Sequence, residues 1–174
     1  MENTNKAKWN IDLTHSEINF KVKHMMISTV TGSFETFDAR VEATDDSFKD
    51  ASFKFHTEID SLNTRNKDRD THLKSDDFFN AETFPKLQFE STSFDGEKLK
   101  GNLTIRDVTK EIEMAVDFNG VAIDPYGQTK AGFDMEATIN RKDFNLTWNA
   151  LTEAGNIVVS DKVKLIANVQ FVKQ

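Results

Sequence analysis

The chain has 174 residues, of which 37% are hydrophobic and 29% are charged, and its formal net charge is −7. This length is typical of one domain, and we interpret residues 1–174 as a single domain. The negative charge, without a block of basic residues, argues against a nucleic-acid partner. No apolar run approaches the roughly 20 residues that a transmembrane helix needs.

Cysteine is absent, which excludes disulfides and thiolate metal sites. The first ten residues, MENTNKAKWN, lack the apolar segment of a secretory signal. Both features predict a cytoplasmic protein. The 15 phenylalanines, against one tyrosine and two tryptophans, indicate a large apolar interior, because phenylalanine has no polar group to place at a wet edge.

Apolar and polar residues alternate along most of the chain, which predicts strands with one buried face. In chain order, the alternating stretches are residues 9–13, 17–26, 37–44, 52–59, 87–94, 98–105, 111–118 and 133–139, a short piece around Leu146 and Trp148, and residues 163–171. Phe34 is out of phase with the stretch that follows it, and this predicts an irregularity near Glu35 and Thr36. Gly155 and Asn156 predict a loop.

Short turns join these stretches, as at Asp95-Gly96 and at Asp124-Pro125-Tyr126-Gly127. The pattern gives roughly eight or nine strands, several of them on the order of 33 Å long. Long strands with one apolar face favour a closed antiparallel barrel, because closure leaves no exposed sheet edge. We therefore predict an all-β barrel.

The segment from Ser61 to Asn80 does not alternate and is rich in Arg, Lys, Asp and Asn. We predict an inserted helical segment here, with Ser61 or Asn63 as its N-cap. Asp68 and His72 lie four positions apart, so we expect them to pair on one face of the helix.

No arrangement of residues predicts catalysis or a bound metal. The four histidines include no HxH or HxxxH pair, and the acids near His72 lack the Gly and Glu that a calcium loop requires. There is no GxSxG motif and no glycine-rich phosphate loop. We therefore expect no metal, no cofactor and no enzymatic activity. Arg69-Asp70 and Arg141-Lys142-Asp143 are interpreted instead as buried ion pairs that fix loops.

His24 lies on the apolar face of its predicted strand. Such a histidine is more often a hydrogen-bonded core residue than a ligand contact, and the sequence leaves both interpretations open. A barrel of eight strands is likewise either filled by its side chains or able to hold one small ligand. The pattern alone predicts a Phe- and Met-rich interior, but not whether that interior is hollow.

A series of short motifs runs along nearly the whole chain, and their order and spacing are more specific than any one of them. They are Trp9 with Asp12, His15-Ser16, Phe20, His24, Gly32, Phe34, Thr64, Arg69-Asp70-x-His72-Leu73-x-Ser75, Phe78, Phe84-Pro85, Phe89, Gly101-x-Leu103-Thr104-Ile105, Val108-Thr109-Lys110 and Asn140-Arg141-x-Asp143-Phe144. In this order they resemble the YceI-like family of polyisoprenoid-binding proteins with a lipocalin-like barrel. Asn145 stands where the family often has Gly, and since Asn tolerates the left-handed conformation we expect the turn to survive.

The resemblance implies an extended eight-stranded antiparallel barrel with an inserted helical segment around residues 61–80. It also implies a bacterial protein that forms a homodimer and holds a long-chain isoprenoid or related amphiphile in an apolar tunnel. The expected ligand-binding residues are those on the inward faces of the strands, with others near the mouth: Phe20, Val22, His24, Phe53, Phe55, Phe78, Phe89, Leu103, Met114, Phe118, Phe133, Met135 and Trp148.

Three functions remain open from the sequence. The predicted one is binding, with transport or storage, of a long-chain isoprenoid. The second is an enzyme that acts on a small amphiphile through His24, Arg69, Asp70 and His72 at the barrel mouth. The third is an interaction module whose filled barrel only presents a dimer face.

Overall fold

The computed structural model describes residues 6–149 and 158–174. Within them lie eleven strands and one α-helix, besides three short 3₁₀ turns. The strands are β1 (Ala7–Ile11), β2 (Glu17–His24), β3 (Ser28–Phe34), β4 (Phe37–Ala43), β5 (Ser52–Glu58), β6 (Leu62–Asn63), β7 (Lys86–Phe94), β8 (Lys98–Ile105), β9 (Val108–Ile123), β10 (Thr129–Asn140) and β11 (Val159–Lys173); the helix is α1 (Lys67–Lys74), and the 3₁₀ turns are Leu13–His15, Ile59–Ser61 and Arg141–Phe144.

The strands form a closed antiparallel barrel. Strands β1 and β2 both pair with β11. On their other side β1 pairs with β4 and β2 with β3, and further along the wall β4 pairs with β5 and β3 with β6. The couples β1/β2, β3/β4 and β5/β6 are therefore each one interrupted strand of the barrel wall. With β7 to β11 following in chain order, the wall has eight strands. This confirms the predicted all-β, eight-stranded antiparallel barrel with an inserted helical segment.

The predicted irregularity near Glu35 is the break between β3 and β4. The Glu35 amide donates to the carbonyl of Ser61 at 3.2 Å, and the Glu58 amide donates to the carbonyl of Thr36 at 2.9 Å. Two adjacent breaks in the wall are thus hydrogen-bonded to each other. Among the described strands β6 has only β3 as a neighbour, so the wall opens beside β6.

The inserted helix is shorter than the predicted helical segment and has a different cap. Its N-cap is Asn66, whose side chain accepts a hydrogen bond from the Arg69 amide at 3.0 Å. The predicted caps are wrong, because Ser61 ends a 3₁₀ turn and Asn63 lies in β6. None of the helix residues is fully buried. The fold therefore holds this helix from its flanks rather than by a buried face.

Two predictions concern the segment before β11. The short strand expected around Leu146 and Trp148 is wrong, because residues 145–149 have no regular structure. The buried side chain of Arg141 occupies the carbonyls of both residues instead. The loop expected at Gly155 and Asn156 lies outside the described residues.

The two ends of the barrel differ, and we call them the plugged end and the mouth. At the plugged end, Phe48 from the loop between β4 and β5 is fully buried. Its ring lies 5.0 Å from Trp9, 5.2 Å from Phe118 and 5.1 Å from Phe133, centroid to centroid. Phe53, Phe94 and Phe171 complete this cluster. The mouth is the opposite end, where residues 64–85, here named the lid, cross the opening.

Candidate ligand-binding site

Two apolar cavities lie one above the other inside the barrel. The mouth cavity has a volume of about 60 Å³ and is closed by Leu73, Phe78 and Phe79 of the lid. The middle cavity has a volume of about 50 Å³ and lies deeper. The two share three wall residues, Phe34, Leu87 and Leu165. They therefore form an interrupted apolar column from the lid towards the plugged end.

The predicted ligand-binding residues fall into four groups, two of which line the cavities of this column. The mouth cavity is lined by Phe20, Val22 and Phe78. The middle cavity is lined by Phe55, Phe89, Leu103, Met114 and Met135. Phe53, Phe118 and Phe133 belong to the aromatic cluster of the plugged end and line neither cavity. His24 and Trp148 lie near the mouth but outside both cavities. A role of these residues in ligand binding stays a prediction.

Two inward glycines give the lining phenylalanines their room. A Cβ added to Gly32 of β3 would lie 2.2 Å from the ring of Phe20, and one added to Gly101 of β8 would lie 2.4 Å from the ring of Phe89. Each ring therefore covers a glycine on a neighbouring strand. Because the rings lie against the wall, they leave the centre of the barrel less filled than alternation alone suggests.

The lid begins with a hydrogen-bonded turn around Thr64. Asp70 accepts a bond from the Thr64 amide at 2.8 Å and a second from its hydroxyl. Arg69 donates to the Thr64 hydroxyl oxygen at 2.8 Å and to its carbonyl at 2.6 Å. The two charged residues thus fix a loop, as predicted, but through a shared threonine rather than as an ion pair with each other.

The far part of the lid is held by aromatic contacts. Trp148 packs edge-on against His72, at 4.7 Å between centroids, and lies 5.3 Å from Phe78. His72 also bonds Asp77 through Nε2 at 2.8 Å. The predicted pairing of His72 with Asp68 is wrong, because the ring turns towards the residues that follow the helix.

Arg141 holds the loop that carries Trp148. Its side chain is 2% exposed and pairs with Asp161 at 3.8 Å, rather than with the exposed Asp143 as expected. The guanidinium donates to the carbonyls of Leu146, Trp148, Val159 and Ser160. Burial lowers the pKa of Arg141, and the carboxylate of Asp161 partly offsets this. The turn that follows is left-handed at Asn145, with φ 62°, as expected for this residue.

The sequence profile of the YceI-like domain matches residues 9–171 of this barrel. This chain belongs to the YceI-like domain family. A UPF0312 protein of Staphylococcus aureus strain N315 is 37% identical over 166 residues, which cover 95% of this chain and 97% of that protein. A UPF0312 protein of Staphylococcus epidermidis is 36% identical over the same shares of the two chains.

Solved structures have the same architecture. The YceI protein of Campylobacter jejuni is 32% identical and superposes with a TM-score of 0.66, covering 84% of this chain and 88% of that one. BcnA of Burkholderia cenocepacia gives a TM-score of 0.76 at 23% identity, covering 92% and 98%. A polyisoprenoid binding domain from Saccharophagus degradans gives 0.72 at 14% identity, covering 95% and 98%. At such low identities the last two support the fold alone.

The four polar residues of the enzymatic alternative do not form one group in this member of the YceI-like family. Arg69 and Asp70 bond Thr64, and His72 bonds Asp77. His24, at the end of β2, borders the same open outer groove as Arg69, and its ring has no hydrogen-bond partner among the described residues. Those residues also contain no cluster of three or more potential metal ligands. The described helix is too short and too polar to cross a bilayer.

Thr57 is a polar residue of the interior that the sequence placed on an inward face without assigning it a role. It is 1% exposed and lines the middle cavity. Its hydroxyl has no hydrogen-bond partner among the described residues. A buried group left in this way costs about 1–3 kcal/mol. The signal that points to it is a hydroxyl on the apolar face of a strand whose other inward residues are Phe53, Phe55 and Ile59.

Proposed function

We propose that this protein binds a long-chain isoprenoid or a related amphiphilic lipid inside its barrel. The observation that carries the proposal is the apolar column of two cavities between the lid and the plugged end. Membership of the YceI-like family supports it, and so does the shared fold with a domain from Saccharophagus degradans that is described as polyisoprenoid binding.

The energy of burial favours a long apolar chain. Each methylene transferred from water contributes about 0.8 kcal/mol, so a five-carbon isoprene unit contributes on the order of 4 kcal/mol before costs. Association costs roughly 4–15 kcal/mol in lost translational and rotational freedom, and each immobilised side chain costs roughly 0.5–1.5 kcal/mol more. A handful of isoprene units, at about 4 kcal/mol each, therefore offsets these costs.

The lid must move for such a chain to enter. The cavities of about 60 and 50 Å³ each have the volume of about two water molecules, since a water molecule occupies roughly 30 Å³ in the liquid. A long apolar chain does not fit into such volumes. Only Thr64 and Phe78 are fully buried in the whole of the lid. We infer that the chain displaces Phe78 and Phe79 and takes their place against the barrel wall. Shielding a chain from water in this way suits transport or storage.

The proposal is tested by organic extraction and native mass spectrometry of the purified protein, followed by thermal-shift titration with geranylgeraniol and solanesol. We expect a co-purified lipid or a ligand-dependent rise in melting temperature. Met114→Trp fills the middle cavity and is expected to weaken the response, whereas Ile123→Trp on the exposed outside serves as the control. A protein that carries no lipid and ignores both prenols contradicts the proposal.

Two further expectations belong with this function. We infer a homodimer and a cytoplasmic location, which the described residues leave as predictions. Size-exclusion chromatography with light scattering measures the first, and fractionation of the native host measures the second.

A further inference from the structure

The hairpin that joins β2 and β3 ends in an exposed apolar tip. Met26 is 62% exposed and Ile27 is 78% exposed. Met25 and Met26 have φ angles of 51° and 60°, in the left-handed region. Asn and Gly are the ordinary residues for such a turn, because side chains with a bulky Cβ are strained there. The turn explains neither methionine, and burial does not explain Met26, whereas Met25 is half-buried.

A patch of lysines lies on the outer face of the barrel directly behind this tip. Lys21 of β2 stands opposite Lys164 of β11 in the strand register, and Lys162 lies in the adjoining bulge. Lys23, one residue before the end of β2, donates to the hydroxyl of Thr29 at 3.0 Å. All four lysines are exposed, and none forms an ion pair with a described residue.

This patch is unusual for a chain with net charge −7. Like charges directly opposite on neighbouring strands destabilise a sheet, so the arrangement does not serve the fold. The acid on the same stretch of β11, Asp161, is already paired with Arg141 and Lys142. As far as residues 6–149 and 158–174 are concerned, the surface therefore presents positive charge without an acidic ion-pair partner beside exposed apolar side chains.

The tip also stands at the rim of the barrel mouth. The Met25 amide donates to the carbonyl of Val158 at 2.8 Å. The neighbouring inward residues, Val22 and Val159, line the mouth cavity. Any surface that binds the tip therefore lies beside the entrance of the apolar column.

We propose that the tip, residues 25–27, and the four lysines dock the barrel mouth on an anionic lipid bilayer. The apolar tip enters the interface between headgroups and acyl chains, and the lysines bind the anionic headgroups. This inference rests on the proposed function, since it lets the ligand pass from membrane to barrel without crossing water. A nucleic acid offers nothing for methionine and isoleucine to bury against, and a tip three residues wide is too small for a stable protein interface.

The test is co-sedimentation with vesicles of phosphatidylcholine alone and of phosphatidylcholine mixed with phosphatidylglycerol. We expect binding to the anionic vesicles only, weakened by salt because the charges are exposed. The double variant Lys21→Gln/Lys164→Gln is expected to lose about fivefold in affinity for each lysine removed. Met26→Ser/Ile27→Ser is expected to lose on the order of tenfold.

Ile123→Ser is the matched control, because Ile123 is 74% exposed at the other end of the barrel. It should leave vesicle binding unchanged. Absence of binding by the unmodified protein, or equal losses in all variants, overturns the proposal. A dimer that dissociates when the tip is changed also overturns it, because the occupant is then a second copy. Titration with geranylgeraniol in solution separates the two proposals, since failed docking leaves that response intact.

Discussion

The two ends of the barrel are built from the same alternating strands but are filled in different ways. At the plugged end Phe48 enters from a loop and meets the rings of Trp9, Phe118 and Phe133. At the mouth Phe78 enters from the lid and packs against the rings of His72 and Trp148 on one side, but it also borders the mouth cavity. The comparison indicates that stability is concentrated at the plugged end and that the mouth keeps the freedom to open.

The largest expected effect is at the plug itself. Phe48→Ala removes a fully buried ring from an aromatic cluster and is expected to cost about 3–5 kcal/mol in the free energy of unfolding. Phe78→Ala is the matched change at the mouth and should cost clearly less, because its site is already bordered by a cavity. Urea denaturation measures both. If both variants lost the same free energy of unfolding, the two ends would not differ in their contribution to stability.

The next effect concerns a polar contact at the plugged end. Lys130 donates to Asp12 at 2.6 Å, and both side chains are mostly buried. Burial by itself opposes ionisation of Asp12, but the hydrogen bonds from Lys130, Thr14 and His15 outweigh it and hold its pKa far below the usual range. Asp12→Asn is expected to lower stability at pH 7 by about 1–3 kcal/mol.

The pH dependence follows from the direction of that shift. A carboxyl with a lowered pKa in the folded protein adds stability above its unfolded pKa of about 4, and this stability is lost as the pH falls further. The gap between the unmodified protein and Asp12→Asn should therefore close below about pH 4. The exposed Asp107, changed to Asn, is the control. A gap that is independent of pH would show that the carboxylate is not the source.

A smaller effect is expected from the lid. Arg69→Ala removes two hydrogen bonds to Thr64 and should lower stability by about 1–2 kcal/mol while also shortening ligand retention. The exposed Arg65, changed to Ala, is the control. Thermal unfolding and release of bound prenol measure the two properties. Lost binding at unchanged stability would instead mark Arg69 as a direct ligand contact.

The smallest effect is expected to have the opposite sign. Thr57→Val keeps the shape of the side chain and removes the unpaired hydroxyl, so the ligand-free protein should gain about 1 kcal/mol. Thr57→Ser retains the hydroxyl and should show no such gain. Chemical denaturation of delipidated protein measures both variants. A loss of stability in Thr57→Val would mean that the hydroxyl has a partner.

Residues that obey a local rule were predictable from the sequence. Alternation located the long strands, and the phase change after Phe34 located the break at Glu35 and Thr36. Asn145 adopts the left-handed turn expected of its residue type. These features depend on neighbours in the chain, which is why pattern and propensity reach them.

Contacts between distant segments were not predictable in the same way. The partner of Arg141 is Asp161 rather than a neighbour in sequence, and the partner of His72 is Asp77 rather than Asp68. Phe48 carries no periodic signal, because it is a single buried residue in a loop. Such contacts are chosen by where closure of the barrel brings the segments together.

The sequence by itself determined an all-β barrel with an apolar inner face. In any single strand every second side chain points to the same face, so the pattern can be recognised without knowing which strands are neighbours. Only the tertiary structure decided how that inner face is used. Closure carries Phe53, Phe118 and Phe133 into a packed plug, while the ends of the Phe20 and Phe89 rings lie over glycines of the wall and leave space. Alternation shows which side of a strand a residue faces. Whether that residue packs tightly or borders a cavity depends on which rings meet across the barrel.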